Sequence, residues 1–213
     1  MTAESIAASW SALPEGARAA LEQQWAALAA GGLPCGAGVV DATGAVVARG
    51  RNRAHDAAPG GPLSGTPIAH AELNALAGVT TDADTSGLTV FSTQHPCAMC
   101  AAALAFTGVG RVVYIADDPS DDSSPSRIAA TRGAVTYQRL GSVEWAIVTT
   151  ILFLYAGAEL RGEADGTLRA AAADNPALGA LVLAEAVDGR LGRAARSGIP
   201  LHEAVAPLWE LFA

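Results

Sequence analysis

His70 and Glu72 stand two residues apart, and Cys97 and Cys100 stand three apart in the run Pro96-Cys97-Ala98-Met99-Cys100. One imidazole and two thiols form a donor set that suits Zn2+. Four protein ligands close a zinc site and make it structural, whereas three leave a position for water and make it catalytic. His70, Cys97 and Cys100 number three. The remaining cysteine, Cys35, lies far upstream in an apolar, Gly-rich context that reads as a strand start, where a thiol behaves as a small core group. A structural site would need Cys35 as its fourth ligand. Glu72 is not expected to bind the metal. Zinc brings the pKa of a bound water to about 7, and a carboxylate beside it can take that proton and deliver it to a leaving group. Alone, Glu72 would read as a solvated first-turn acid favoured by the helix dipole; its spacing from His70 gives it a catalytic role.

Local structure has to bring these groups together. Residues 67–77 have helical composition and stop at Gly78, so a helix is expected with His70 in its first turn. Pro96 suits the first turn of a second helix that runs through Phe106 and ends near Gly108. Cys97 and Cys100 then share a face, and two positive helix ends favour thiolate over thiol. Upstream, residues 1–12 suggest a short helical turn. A firmer helix starts at Pro14-Glu15, with Ala17, Leu21, Trp25 and Leu28 at helical spacing and Gly31-Gly32 as its stop. Strands are expected at 36–42 and 45–50 around a Thr43-Gly44 turn, and at 88–93, 111–116 and 134–140. The small-residue loop 51–66 leads into His70 and is expected to form part of the pocket wall. An acidic loop at 117–126 and a short helix at 127–131 follow the fourth strand. From Gly141 the pattern is helical, with helices over 143–160, from Asn175-Pro176 to Asp188-Gly189, and from Pro200, the last carrying Leu201, Val205, Leu208 and Leu211 on one side. This order gives an α/β fold, a five-stranded mixed sheet flanked by helices. We divide the chain into a core over 1–140 and a helical extension over 141–213.

Net charge is −8, and all 13 basic residues are arginine. A protein that grips a phosphate backbone needs a basic surface, so nucleic acid is not an expected partner. Arg49, Arg51 and Arg53 alternate and read as the solvated face of a half-buried strand rather than a phosphate contact. The first residues lack the basic and hydrophobic regions of a signal peptide. The apolar run 145–156 is shorter than the roughly 20 residues needed to span a bilayer and reads as a buried helix, so no membrane partner is expected. Three cysteines, two assigned to metal, suit a reducing cytoplasm.

His70-Ala71-Glu72, then Pro96-Cys97-Ala98-Met99-Cys100, is the H-x-E…P-C-x-x-C pattern of the zinc deaminases. With Gly110-Arg111-Val112-Val113-Tyr114 after the second helix, residues 14–140 resemble the cytidine deaminase superfamily, and within it the branch of guanine, tRNA adenosine and deoxycytidylate deaminases. The resemblance implies a three-layer α/β/α sandwich, a Zn2+ cofactor, a small-molecule nucleobase or nucleoside substrate and a homodimer. It implies that Asn52, on the strand-to-loop exit before the first motif, contacts the base, and it places Ala71 of the first motif at the substrate. Many relatives carry Glu where this chain has His95, which reads either as a substrate contact or as a loop histidine. Asp117 and Asp118 follow the fourth strand, and Asp118 is a candidate for an exocyclic amine or a solvated loop residue. Trp145, Phe153, Tyr155 and Trp209 are candidates to stack on a ring, although helical spacing makes them core residues first. The expected reaction is hydrolytic deamination of a guanine- or guanosine-like ring. A cytidine or deoxycytidylate substrate is the alternative, and a ligand-binding protein without turnover is the other class.

Overall fold

The computed structural model describes residues 3–57, 60–61, 63–120, 135–209 and 211. Helices α1 (Ala3–Ala12) and α2 (Glu15–Ala29) lead into strands β1 (Gly36–Val40) and β2 (Val46–Arg51). Helix α3 (Ala71–Leu76), strand β3 (Thr89–Gln94), helix α4 (Ala98–Thr107), strand β4 (Arg111–Ala116) and strand β5 (Thr136–Arg139) follow. The sheet order is β2-β1-β3-β4-β5. β1 runs antiparallel to both neighbours, and β3, β4 and β5 run parallel. The expected five-stranded mixed sheet is therefore present.

Two apolar layers cover it. On one face Val39, Ala48, Val90 and Val112 pack with Ala71 and Ala75 of α3 and Leu104 of α4. On the other, Val40, Phe91, Val113 and Ile115 pack with Leu21, Trp25 and Leu28 of α2 and with helix α5 (Val143–Arg161). The result is the three-layer α/β/α arrangement. The second core continues through α6 (Gly166–Asp174), α7 (Pro176–Asp188), α8 (Arg190–Arg196), α9 (Leu201–Ala204) and α10 (Ala206–Trp209).

β2 meets α3 without an intervening side chain. A Cβ on Gly50 would stand 2.4 Å from the Ala71 carbonyl and 2.3 Å from the Ala75 amide, so only glycine lets the helix settle there. Overpacking of this kind costs about 1–3 kcal/mol. Gly50→Ala is expected to lower stability by that amount, read as a fall in the urea midpoint at unchanged slope.

Several boundaries differ from the sequence expectation. The helix expected over 67–77 begins only at Ala71, because the Ala69 carbonyl is taken by the Arg53 amide and by Asn74 Nδ2. His70 and Cys97 therefore cap α3 and α4 rather than lying inside them. The last helix is broken into α9 and α10 at Val205, since Pro207 has no amide to continue the ladder. Leu211 is 62% exposed and does not join Leu201, Val205 and Leu208 in the core. The helix expected at 127–131 falls outside the described residues. The apolar run extends to a helix that is long and apolar enough to cross a membrane by length and composition, but most of it is buried against the sheet and neighbouring helices.

Candidate active site

β2, β3 and β4 all point the same way, and β1 opposes them. The carboxyl ends of β2, β3 and β4 and the start of β1 therefore meet at one sheet edge, where open α/β sheets bind ligands. A cleft of about 70 Å3 lies there, lined by Cys35, Asn52, His70, Ala71, Glu72, Ser92, Gln94, His95, Cys97 and Asp118, with Leu33, Ser120 and Phe153. Asn52, Ala71, His95 and Asp118, the four expected substrate contacts, all lie on this wall.

The metal donors converge at its floor. One ligand atom from each of His70, Cys97 and Cys100 lies within 4.8 Å of the others. The Sγ atoms of Cys97 and Cys100 each stand 3.6 Å from His70 Nδ1. A tetrahedral ion with Zn–S of about 2.3 Å and Zn–N of about 2.05 Å requires an S-to-N edge of about 3.55 Å. The donors are thus spaced for zinc, and the site fits a Zn2+ cofactor. Cys35 lines the cleft but does not join the cluster. Burial, then the charges of Glu72, Asp118 and Cys97, push its thiol well up, so it stays protonated at neutral pH.

Local structure fixes each ligand. The Asn74 side-chain amide donates to the carbonyls of Arg51, Ala69 and His70 at 3.0, 3.1 and 3.1 Å, tying β2 to the turn that presents the imidazole. Cys97 and Cys100 lie at the N-terminal end of α4. Hydrogen bonds from Cys100 and His70 hold the Cys97 thiol down to about 4. Cys100, bonded to Cys97 and more deeply buried, is pushed up. The bond to Cys97 also raises His70.

Glu72 is 6% exposed. Its Oε1 accepts from Ser92 Oγ at 3.0 Å, and Cys100 Sγ lies 3.4 Å from Oε2. Burial raises its pKa above the ordinary carboxylate value, with the Ser92 bond acting against it. A carboxyl so placed takes up a proton more readily than an exposed one, which suits it to carry a proton near neutral pH. Ser92 was not expected. The signal was a hydroxyl two residues after Val90 on the same face of an apolar strand.

His95 packs edge-on to Tyr114 at 4.6 Å and tilted against Tyr137 at 6.0 Å. Burial and the nearby Cys100 and Glu72 push the Tyr137 phenol up to about 12, so it is neutral. Of the four stacking candidates, Trp145, Tyr155 and Trp209 are buried in the core, and Phe153 alone reaches the cleft.

Arg51 and Arg53 do not form a solvated face. Arg51 grips Asp56 with two bonds of 2.8 Å, and Arg53 Nε adds a third of 2.9 Å. This knot shapes the loop behind Asn52. The Arg51 bonds foremost, then Arg53, hold the Asp56 carboxyl down to about 2 against its burial. A depressed carboxylate stabilises the fold above its unfolded pKa near 4, and that contribution is lost as pH falls from about 4 towards 2. Asp56→Asn is expected to cost about 1.5–3 kcal/mol at pH 7 and to flatten the loss between pH 4 and 2, measured by urea unfolding across that range.

Residues 14–116 match the cytidine and deoxycytidylate deaminase zinc-binding region. No curated protein matches the chain. Among solved structures, the protein NE0047 in complex with 2,6-diaminopurine is 25% identical at a TM-score of 0.51, over 68% of this chain and 82% of its own. A guanine deaminase from Nitrosomonas europaea is 24% identical at 0.50, over 64% and 80%. A tRNA:A34 deaminase is 26% identical at 0.48, over 57% and 94%. The sheet topology and donor geometry agree with the match of residues 14–116 to this zinc-binding deaminase region.

Proposed function

We propose that this chain hydrolytically deaminates a purine-type aminated ring, as base or nucleoside, converting C–NH2 to C=O with addition of water and release of ammonia. The observation that carries this is the convergence of His70, Cys97 and Cys100 on one point, with buried Glu72 beside it at the floor of a cleft. A bound Zn2+ held by these three residues supplies a Lewis acid and an acidified water. Glu72, steadied by Ser92, would take one proton of the added water and give it to the ring nitrogen, then take the second from the added hydroxyl and give it to the departing amine. Asn52 has its Oδ1 engaged by the Ala54 amide at 3.0 Å, and offers its Nδ2 to a ring acceptor. Asp118 faces the exocyclic amine, His95 flanks the ring, and Ala71 keeps the wall clear beside it.

The purine preference draws support from 2,6-diaminopurine in the similar NE0047. The family region, described for cytidine and deoxycytidylate, favours a cytosine-type ring as the second reading. An ammonia-release screen over guanine, guanosine, adenine, adenosine, cytosine, cytidine and deoxycytidylate separates them. Turnover confined to the cytosine series replaces the purine reading. Silence on every compound from zinc-loaded protein ends the deaminase reading. The resemblance also points to a homodimer, which sedimentation velocity decides.

A further inference from the structure

A second chamber adjoins the cleft over Glu72. Leu33, Ser120 and Phe153 line both, and the second, about 270 Å3, is much the larger. Part of its wall comes from outside the matched region: Phe153 to Arg161 of α5, and Asp165 with Thr167 at the start of α6. A free base held by Asn52, Glu72 and Asp118 would leave this space empty.

The chamber offers a few polar groups on a largely apolar wall that includes Leu33, Leu154 and Leu160. Arg161 could attract an anion, but its Nε and NH2 both donate to Asp165 Oδ2. Asp165 is 3% exposed, and its Oδ1 caps the Leu168 amide at 2.8 Å. The pair is anchored to α5 by a close approach. A Cβ on Gly157 would stand 2.8 Å from the Asp165 carboxylate carbon. The wall charges therefore cancel, while Ser120, Thr167 and His55 supply polar groups around the apolar surface of Phe153.

Resting on the deaminase reading above, we infer that the substrate is a nucleoside, its ring over Glu72 and its sugar in the chamber between Phe153 and Thr167. A free base fills too little of the site, and a nucleotide brings a phosphate to a wall whose cation is already matched.

The test uses zinc-loaded full-length protein and, for each ring, a matched base, ribonucleoside and 5′-monophosphate. For the ring that is turned over, kcat/KM for the nucleoside is expected to exceed that of the base at least tenfold, with the monophosphate no better than the nucleoside. Equal or better turnover of the free base, or preference for the monophosphate, overturns the inference. Thr167→Tyr, which narrows the chamber, is expected to raise the nucleoside KM at least tenfold with little effect on kcat; an unchanged KM counts against the assignment. Binding to Glu72→Gln, read by calorimetry, keeps the two readings apart. If no compound is deaminated by the parent protein but the nucleoside binds at least tenfold tighter than its base, the chamber stands and the chemistry falls. If both bind alike, the chamber assignment falls.

Discussion

Glu72→Ala is expected to lower the rate of ammonia release by roughly 10²- to 10⁴-fold, the contribution of a positioned proton-transfer group, while zinc content stays at about one ion per chain. The two readouts separate because Glu72 lies outside the three-donor cluster. Its carboxylate touches Ser92 Oγ and approaches Cys100 Sγ, so its loss removes a proton carrier without removing a ligand. The fall should lie in kcat, since the group acts on the reacting atoms. Ser92→Ala gives a graded companion result. Without that hydrogen bond the carboxyl pKa should rise further, because the bond lowers it against burial. The limb of the pH–rate profile governed by the free base should then move to higher pH. If Glu72→Ala keeps full activity on every substrate, the proton relay is wrong. If it loses zinc together with activity, Glu72 is a ligand and not a carrier.

The sequence made the metal chemistry legible because ligand spacing is local. H-x-E and C-x-x-C each place their groups on one turn, and their residue types leave few alternatives. The succession of strands and helices along the chain was legible for a similar reason, since alternating and continuous apolar runs separate cleanly at Gly44, Gly78 and Gly108. The cleft walls were less so. Phe153 looks like its neighbours Leu152 and Leu154, and only the packing of α5 across the sheet decides which side chain reaches the site. Arg51 and Arg53 alternate as a solvated strand face should, yet Asp56 turns both inward. That pairing depends on a loop path that local pattern does not encode. The short helices α6 and α8 lack long apolar periods, and tertiary contact rather than propensity sustains them.

Cys100→Ala and Cys35→Ala are expected to part company, and that contrast tests whether the site is open. Two donors hold zinc far less well than three, so Cys100→Ala should purify with under about 0.1 zinc per chain, measured by plasma mass spectrometry, and without activity. The loss should also lower the thermal midpoint, since an ion that binds only the folded chain stabilises it by mass action. Cys35→Ala should keep stoichiometric zinc, because Cys35 stands outside the cluster and burial keeps its thiol protonated. Acidification gives an independent readout on the parent protein. Zinc needs neutral imidazole and ionised thiols. His70 and Cys100 both hold their protons more tightly than the free side chains do, so occupancy should fall as pH drops, while Cys97, held down to about 4, contributes little to that fall. Loss of zinc from Cys35→Ala equal to that from Cys100→Ala would mean that Cys35 fills the fourth position, leaving no place for the water on which deamination depends.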